Sequence, residues 1–373
     1  MLGFAPPAAE AIAHEALELT RSALKRLPTT QDEIYYAFAD KTIVPTFLSR
    51  PLSRREVDTL QPFWGLRGTL RLFPAFGASM SFMRARFARD LYAAGGLHLL
   101  PRVGFTPEER LADVCAAAPA LVGTALGIQE EDAFLDRLLA HDHLVLLSID
   151  IAHGANAAVL PLLAGLRERG LDRGVILGNV GSVDGFLYAT YLMRLSGFTH
   201  PIIKLGVGPG SVCTTRINTG VGVGQFTLLE RIAIARKELG VELGEVQVIS
   251  DGGVNAAGDF AKALALSDGV MMGKFFASAS FEEEVLVYEE RELVGVRLFG
   301  MASALVTEKR NYIEGSSQLL RSFHHDAGEA VRRLREGLQS AMTYVDAENL
   351  SRFRENACFS TNSRAAIVEG GVH

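Results

Sequence analysis

Cysteine is scarce in this chain of 373 residues, which has only Cys115, Cys213 and Cys358. They lie far apart with no CxxC pair, so neither a disulfide framework nor a zinc knuckle is expected. A reducing, cytoplasmic compartment is the natural expectation. Long apolar runs are missing too. No stretch of about 18 uninterrupted apolar residues occurs, so no transmembrane helix is expected. The N-terminal stretch from Ala8 to Thr20 is too acidic for a signal peptide. It reads as a surface or oligomer-facing amphipathic helix that ends before Pro28. Positive charge is not in excess: 37 Lys and Arg stand against 43 Asp and Glu, a net charge of −6. Nothing in that balance favours nucleic acid or an anionic membrane as the main partner. A GxGxxG fingerprint after the first predicted strand is also absent, which speaks against the open doubly wound sheet.

What is present is a repeating unit. Short apolar runs, each closed by Gly, Asp or Asn, predict strands at 72–76, 97–100, 120–124, 144–150, 175–179, 201–206, 246–251 and 269–273. Helical patterns fill several gaps, at 130–141, 157–169, 226–239 and 256–266. Strand then helix, repeated about eight times, is the pattern of an α/β fold of the TIM-barrel type, a (β/α)8 barrel. Residues 1–65 read as a helix with an irregular lead-in. Residues 66–373 read as the barrel, with a lid segment at about 295–325 and a helical C-terminal extension.

Chemistry in such a barrel sits at the C-terminal strand ends, and the distinctive residues fall there. Asp150 ends strand four and Asn179 ends strand five. Asp251-Gly252-Gly253 follows strand seven, and Gly273-Lys274 follows strand eight. The loops after strands seven and eight are the usual phosphate seat of this fold, where the flexible point charge of Lys274 suits a phosphate. Strand six runs from Lys204 into Gly206, Gly208, Pro209 and Gly210, then Ser211, Cys213 and Thr215. Glycines let this backbone turn sharply and approach a ligand. Ser211 offers a hydroxyl and N–H groups to an anion, and Cys213 is a soft nucleophile as its thiolate. Plainer readings stand beside these. Cys213 buried as a structural residue, Asp251 as a helix cap and Lys274 as a solvated side chain are the alternatives. Cys115, Cys358 and His153 receive no catalytic role. His324-His325 reads as an exposed pair, and the acidic runs 282–284 and 289–292 read as solvated faces of a hairpin or loop.

Taken in order, GVGPGSVCTTR, GVGVGQ, ISDGGV, GDFAKALA, VMMGK, GMAS, IEG and SAMTYVDA make the chain resemble the IMP dehydrogenase/GMP reductase family over nearly its whole length. The resemblance implies that Cys213 attacks C2 of a purine nucleotide to give a thioimidate. It implies that Thr215 meets the leaving group or the proton in transit. Ser211, Gly252, Gly253 and Gly273 are implied to hold the 5′-phosphate, and Asp251 to accept from the ribose hydroxyls. Met301 and Gly315 are implied at the base, with Glu314 handling a proton at its N1–C2 edge. Ser79 and Met80 stand on the substrate side; Asp150, Asn179 and Arg102 stand on the cofactor side. The carbonyls of Gly208, Gly210 and Cys213 are implied to ligate a monovalent cation such as K+. A homotetramer is implied by the same resemblance.

Direction is read from what is short. No insertion the size of a CBS pair interrupts the barrel, and the connection from Met301 to Glu314 leaves no room for a mobile flap that activates water. Arg310 and Tyr312 are not adjacent. This favours a GMP-reductase-like, NADPH-dependent reductive deamination, with NADH or NAD as other cofactor choices. The family's usual His-Lys after strand two is Pro101-Arg102, its Asn-Met-Asp after strand one is Ser79-Met80-Ser81, its second glycine after strand eight is Lys274, and Ala302 replaces a serine. These departures point to GMP or a modified nucleotide such as a 7-deazaguanine nucleotide as substrate. The competing functions are an NAD-dependent IMP dehydrogenase, a nucleotide-binding regulatory protein without turnover, and a flavin-dependent barrel oxidoreductase.

Overall fold

The computed structural model describes residues 6–28, 34–50, 53–65, 68–279, 285–290, 292–299, 316–321 and 326–370. Strand β1 (Lys41–Val44) and the hairpin β2 (Gln61–Gly65) and β3 (Gly68–Leu72) precede the barrel. The barrel strands are β4 (Ala75–Gly77), β5 (Leu97–Leu100), β6 (Val122–Leu126), β7 (Leu144–Asp150), β8 (Gly174–Val180), β9 (Ile202–Leu205), β10 (Gln247–Asp251) and β11 (Gly269–Met272). They close in the order β10-β11-β4-β5-β6-β7-β8-β9, with every described pairing parallel. The TIM-barrel expectation is met.

Helix starts follow local chemistry. Thr106 accepts from the Glu109 N–H while the Glu109 carboxylate accepts from the Thr106 N–H, and Pro107 opens the helix Pro107–Ala117. This reciprocal cap satisfies two donors that a helix start leaves unpaired. Ser182 and Asp326 each accept from one first-turn N–H, of Gly185 and Glu329, at the starts of Val183–Leu195 and Ala327–Tyr344. The predicted helices appear as Asp132–Leu139, Leu160–Glu168, Gln225–Leu243 and Ala257–Leu264.

Alternate residues of a strand face one side, and here they build layers. Phe76, Leu97, Leu99, Leu146, Ile176, Ile202, Ile249 and Met271 form an apolar cluster separate from the outer core. The β2–β3 hairpin adds Phe63 and Leu72 to that cluster, and the Phe63 ring meets Phe76 edge-on at 4.9 Å. The hairpin thus covers the N-terminal end of the barrel, where the Trp64 N–H meets Gln247 at the start of β10. This corrects two expectations. Leu72 belongs to the hairpin, so the first barrel strand begins at Ala75. The boundary drawn after residue 65 runs between two paired strands, Gly65 lying opposite Gly68.

The lead-in is also less irregular than expected. Lys41–Val44 pairs antiparallel with β15 (Cys358–Thr361), joining the two ends of the chain. Beyond the barrel, β12 (Leu286–Glu289), β13 (Glu292–Phe299) and β14 (Ser317–Leu320) form a three-stranded antiparallel sheet. The acidic run at Glu289 therefore sits in a hairpin. No helix among the described residues is long and apolar enough to cross a membrane.

His98 on β5 is fully buried, with Nε2 2.6 Å from the Met83 carbonyl and Nδ1 3.2 Å from the Gly77 carbonyl. Burial pushes its pKa down to about 4, against the pull of the two carbonyls. A histidine whose folded pKa lies below its unfolded value contributes stability above the unfolded pKa, and that stability is lost as pH falls through the gap. Urea unfolding should therefore show a decline of about 3 kcal/mol between roughly pH 6.5 and 4 from this group. The decline should shrink in His98→Gln, and an identical pH profile in the variant would refute the assignment.

Candidate active site

Above the apolar layer, the inward positions turn polar. On β7, Leu146 is followed by Ser148 and Asp150; on β9, Ile202 by Lys204; on β10, Ile249 by Asp251. The Lys204 side chain is 2% exposed. Its ammonium lies 2.8 Å from Asp150 Oδ1 and 3.1 Å from Asp251 Oδ2. Burial alone would push this lysine's pKa down; the two carboxylates more than offset it, so it is raised and the ammonium stays charged. Burial likewise works against the Asp150 carboxylate, yet Lys204, with Ser79 and Arg102, holds its pKa below the ordinary value. Gly178 on β8 makes room: a Cβ there would stand 2.6 Å from the Lys204 Cβ.

The other predicted strand-end residues attach to this cluster. Ser79 Oγ donates to Asp150 Oδ2 at 3.1 Å, and Arg102 donates to the Asp150 carbonyl at 3.0 Å. Asn179 donates through Nδ2 both to Asp251 Oδ2, at 2.8 Å, and to the Gly206 carbonyl, at 2.9 Å. Asp150, Asn179 and Ser79 are thus engaged with protein partners. Asp251 uses Oδ2 twice, and no hydrogen bond among the described residues engages its Oδ1.

The glycine loop departs from β9 at Gly206, whose φ of +146° favours glycine; a Cβ there would sit 2.2 Å from the Asp251 carbonyl oxygen. That close approach welds the cysteine loop to the strand-seven end. The loop then turns at Cys213, whose N–H donates to the Gly210 carbonyl at 3.1 Å. Cys213 Sγ and Thr215 Oγ1 are 3.1 Å apart, so the hydroxyl is placed to hydrogen-bond a thiolate. Thr215 opens the short helix Thr215–Thr219. Ser316, at the entry to β14, donates to the Val212 carbonyl at 2.9 Å, tying that sheet to the cysteine loop.

Most of these groups line one cavity of about 620 Å³. Its wall carries Ser79, Met80, Arg102, Asp150, Asn179 and Lys204, then Gly208, Gly210, Ser211, Cys213 and Thr215, then Asp251, Gly252, Gly253, Gly273 and Lys274. That volume suits a nucleotide-sized ligand. The predicted residues Met301, Glu314 and Gly315, with Ala302, Arg310, Tyr312, His324, His325 and the acidic run 282–284, lie outside the described residues. Cys115 and Cys358 are exposed, away from this wall. Among the described residues, no group of three or more His, Cys, Asp or Glu side chains is arranged to hold a metal.

Sequence reasoning gave no role to Lys204, although its signal was there: a charge at an inward position of an apolar strand. It also passed over Gln225, whose amide donates to the Leu205 carbonyl and Ser250 Oγ behind the loop. Phe38 was missed too, whose ring would contact a Cβ on Gly253 at 3.5 Å from the outer side.

Comparison with known proteins adds the following. The IMP dehydrogenase / GMP reductase domain matches residues 108–373. An inosine-5'-monophosphate dehydrogenase of Streptococcus pyogenes is 30% identical over 267 residues, covering 68% of this chain and 52% of the relative. The enzymes of the same name from Chlorobaculum tepidum and Chlorobaculum parvum are also 30% identical, again over 52% of their length. The chain spans about half the length of these curated relatives.

The Thr215 hydroxyl, 3.1 Å from Cys213 Sγ, is within reach to donate to the sulfur once it is ionised. Thr215→Val should slow alkylation of Cys213 by iodoacetamide about tenfold. Peptide mass spectrometry reads it, with Cys115 and Cys358 as internal references whose rates stay unchanged. Equal Cys213 rates in the two proteins would show that the hydroxyl does not act on the sulfur.

Proposed function

Since this chain belongs to the IMP dehydrogenase / GMP reductase family, we propose that it is a purine nucleotide oxidoreductase working through a covalent adduct on Cys213, in the reductive direction. The observation that carries the reading is the Cys213–Thr215 pair, 3.1 Å apart, in the cavity that also contains the strand-seven and strand-eight ends.

The phosphate of a guanine-type nucleotide sits on the backbone of Ser211, Gly252, Gly253 and Gly273, with Lys274 adding charge. Asp251 accepts from the ribose hydroxyls. Ser79 and Met80 bound the substrate side; Arg102, Asp150 and Asn179 bound the side where the hydride donor lies. The Cys213 thiolate adds to purine C2, and the C2–N bond breaks as the exocyclic amine leaves as ammonia. Splitting one hard substitution into two steps lowers each barrier. The Thr215 hydroxyl steadies the sulfur and stands at the proton's path, and Glu314 handles the proton at the N1–C2 edge. NADPH, when bound, supplies the hydride that arrives at C2; the C2–S bond then breaks and returns the thiolate. The Gly208, Gly210 and Cys213 carbonyls hold a monovalent cation. Gly210 keeps a lone pair for this role, since its carbonyl accepts one hydrogen bond, from Cys213.

Support for the reductive direction comes from the sequence, in which only twelve residues separate Met301 from Glu314, few for a flap that activates water. The second reading is an IMP dehydrogenase, favoured by the names of the matched relatives.

Purified protein with NADPH and GMP, or a 7-deazaguanine nucleotide, should consume NADPH. No consumption with either, together with NADH formation from NAD and IMP, would establish the dehydrogenase reading instead. Cys213→Ala should abolish turnover and keep nucleotide binding; unchanged turnover would remove the thiolate from the mechanism. Lys274→Ala should weaken nucleotide binding about tenfold at low salt and flatten its salt dependence. Isothermal titration at two ionic strengths measures both.

A further inference from the structure

Lys204 lines the catalytic cavity, yet the adduct chemistry gives it nothing to do. Two of its three N–H donors are taken by Asp150 and Asp251, and the side chain is only 2% exposed. Asp251 is the more telling partner. Its Oδ2 receives Lys204 Nζ at 3.1 Å and Asn179 Nδ2 at 2.8 Å, on the inner side of the cavity wall. A carboxylate pinned through one oxygen presents the other in a fixed direction, and Oδ1 has no hydrogen-bond partner among the described residues.

We infer that Lys204 is a positioning residue for ribose recognition: it holds the Asp251 carboxylate so that the barrel tells a ribonucleotide from its 2′-deoxy form, without itself touching the sugar. This rests on the nucleotide reading above. Of the two donors on Oδ2, the ammonium is the charged one, and charge-assisted hydrogen bonds are the stronger and shorter class. Without it, Oδ2 keeps one neutral donor, the Asn179 amide, and the carboxylate loses its charged anchor. Asp251 would then turn or take up a proton, and either change spoils a carboxylate meant to accept two vicinal hydroxyls. Gly178 is part of the same device, since any side chain there would displace Lys204.

The test is the ratio of dissociation constants for GMP and 2′-deoxy-GMP, measured by isothermal titration without turnover. Lys204→Met alone leaves two buried carboxylates unpaired and risks unfolding. The double variant Asp150→Asn/Lys204→Met keeps the cluster's net charge, because one carboxylate is neutralised together with the one ammonium. Asp150→Asn is its control, and Asp251→Asn marks the complete loss of ribose reading. The wild type should prefer the ribonucleotide about tenfold, the worth of one hydrogen bond to a charged group. Asp150→Asn should keep that preference, while the double variant should fall to the ratio of Asp251→Asn. A wild-type ratio in the double variant would overturn the inference and leave the nucleotide reading standing. An undiminished ratio in Asp251→Asn would overturn it as well, and failure of the wild type to bind either nucleotide would remove both.

Discussion

A lysine ammonium sealed inside a barrel survives only beside carboxylates, and this one has two. Desolvating a charge costs several kcal/mol unless a partner and hydrogen bonds offset it. Lys204, Asp150 and Asp251 come from β9, β7 and β10, so the requirement binds three strands at their C-terminal ends. β8, which lies between β7 and β9, contributes Asn179 and the bare Gly178 that admits the lysine. The polar layer therefore marks where the barrel stops being a packed core and becomes the floor of a cavity. Beneath it the Phe63 and Phe76 layer is apolar and closed. Above it, the strand-end groups meet the open volume.

The loops over that floor are held by backbone more than by side chains. Gly206 lets the cysteine loop pass within contact of the Asp251 carbonyl, and Asn179 bridges the same two segments. From outside, Phe38 backs Gly253 and meets Phe226 edge-on, so the lead-in braces the strand-seven loop. From above, Ser316 reaches Val212. A side chain held this way keeps its position through the surrounding backbone.

Much of the fold was legible along the chain. Each barrel strand is a short buried run closed by a turn residue, so strands such as Leu97–Leu100 and Leu144–Asp150 could be read to the residue. The first strand was begun three residues early because Leu72 and Phe73 continue its apolar run, although Leu72 ends the hairpin strand Gly68–Leu72. Its role is set by what it packs against, and nothing in its own five residues says so. The matched domain begins at residue 108, so β4 and β5 are placed in the barrel by their pairing, with β11 on one side and β6 on the other. The lead-in strand Lys41–Val44 was invisible for the same reason: its partner lies at the other end of the chain.

The candidate site divides along that line. Residue chemistry in sequence singled out the Cys213–Thr215 pair and the strand-end glycine turns as candidates, because each is a short stretch whose meaning is local. Asp150, Asn179 and Ser79 were named as groups facing a ligand, and only the tertiary structure decided that they face Lys204 and Asp251 and one another. Lys204 itself was in plain view, but a lysine in a strand has no meaning until two carboxylates from other strands arrive beside it. Burial and charge pairing are properties of a place, and the place is made by strands that the chain reaches some fifty residues apart, as from Asp150 to Lys204.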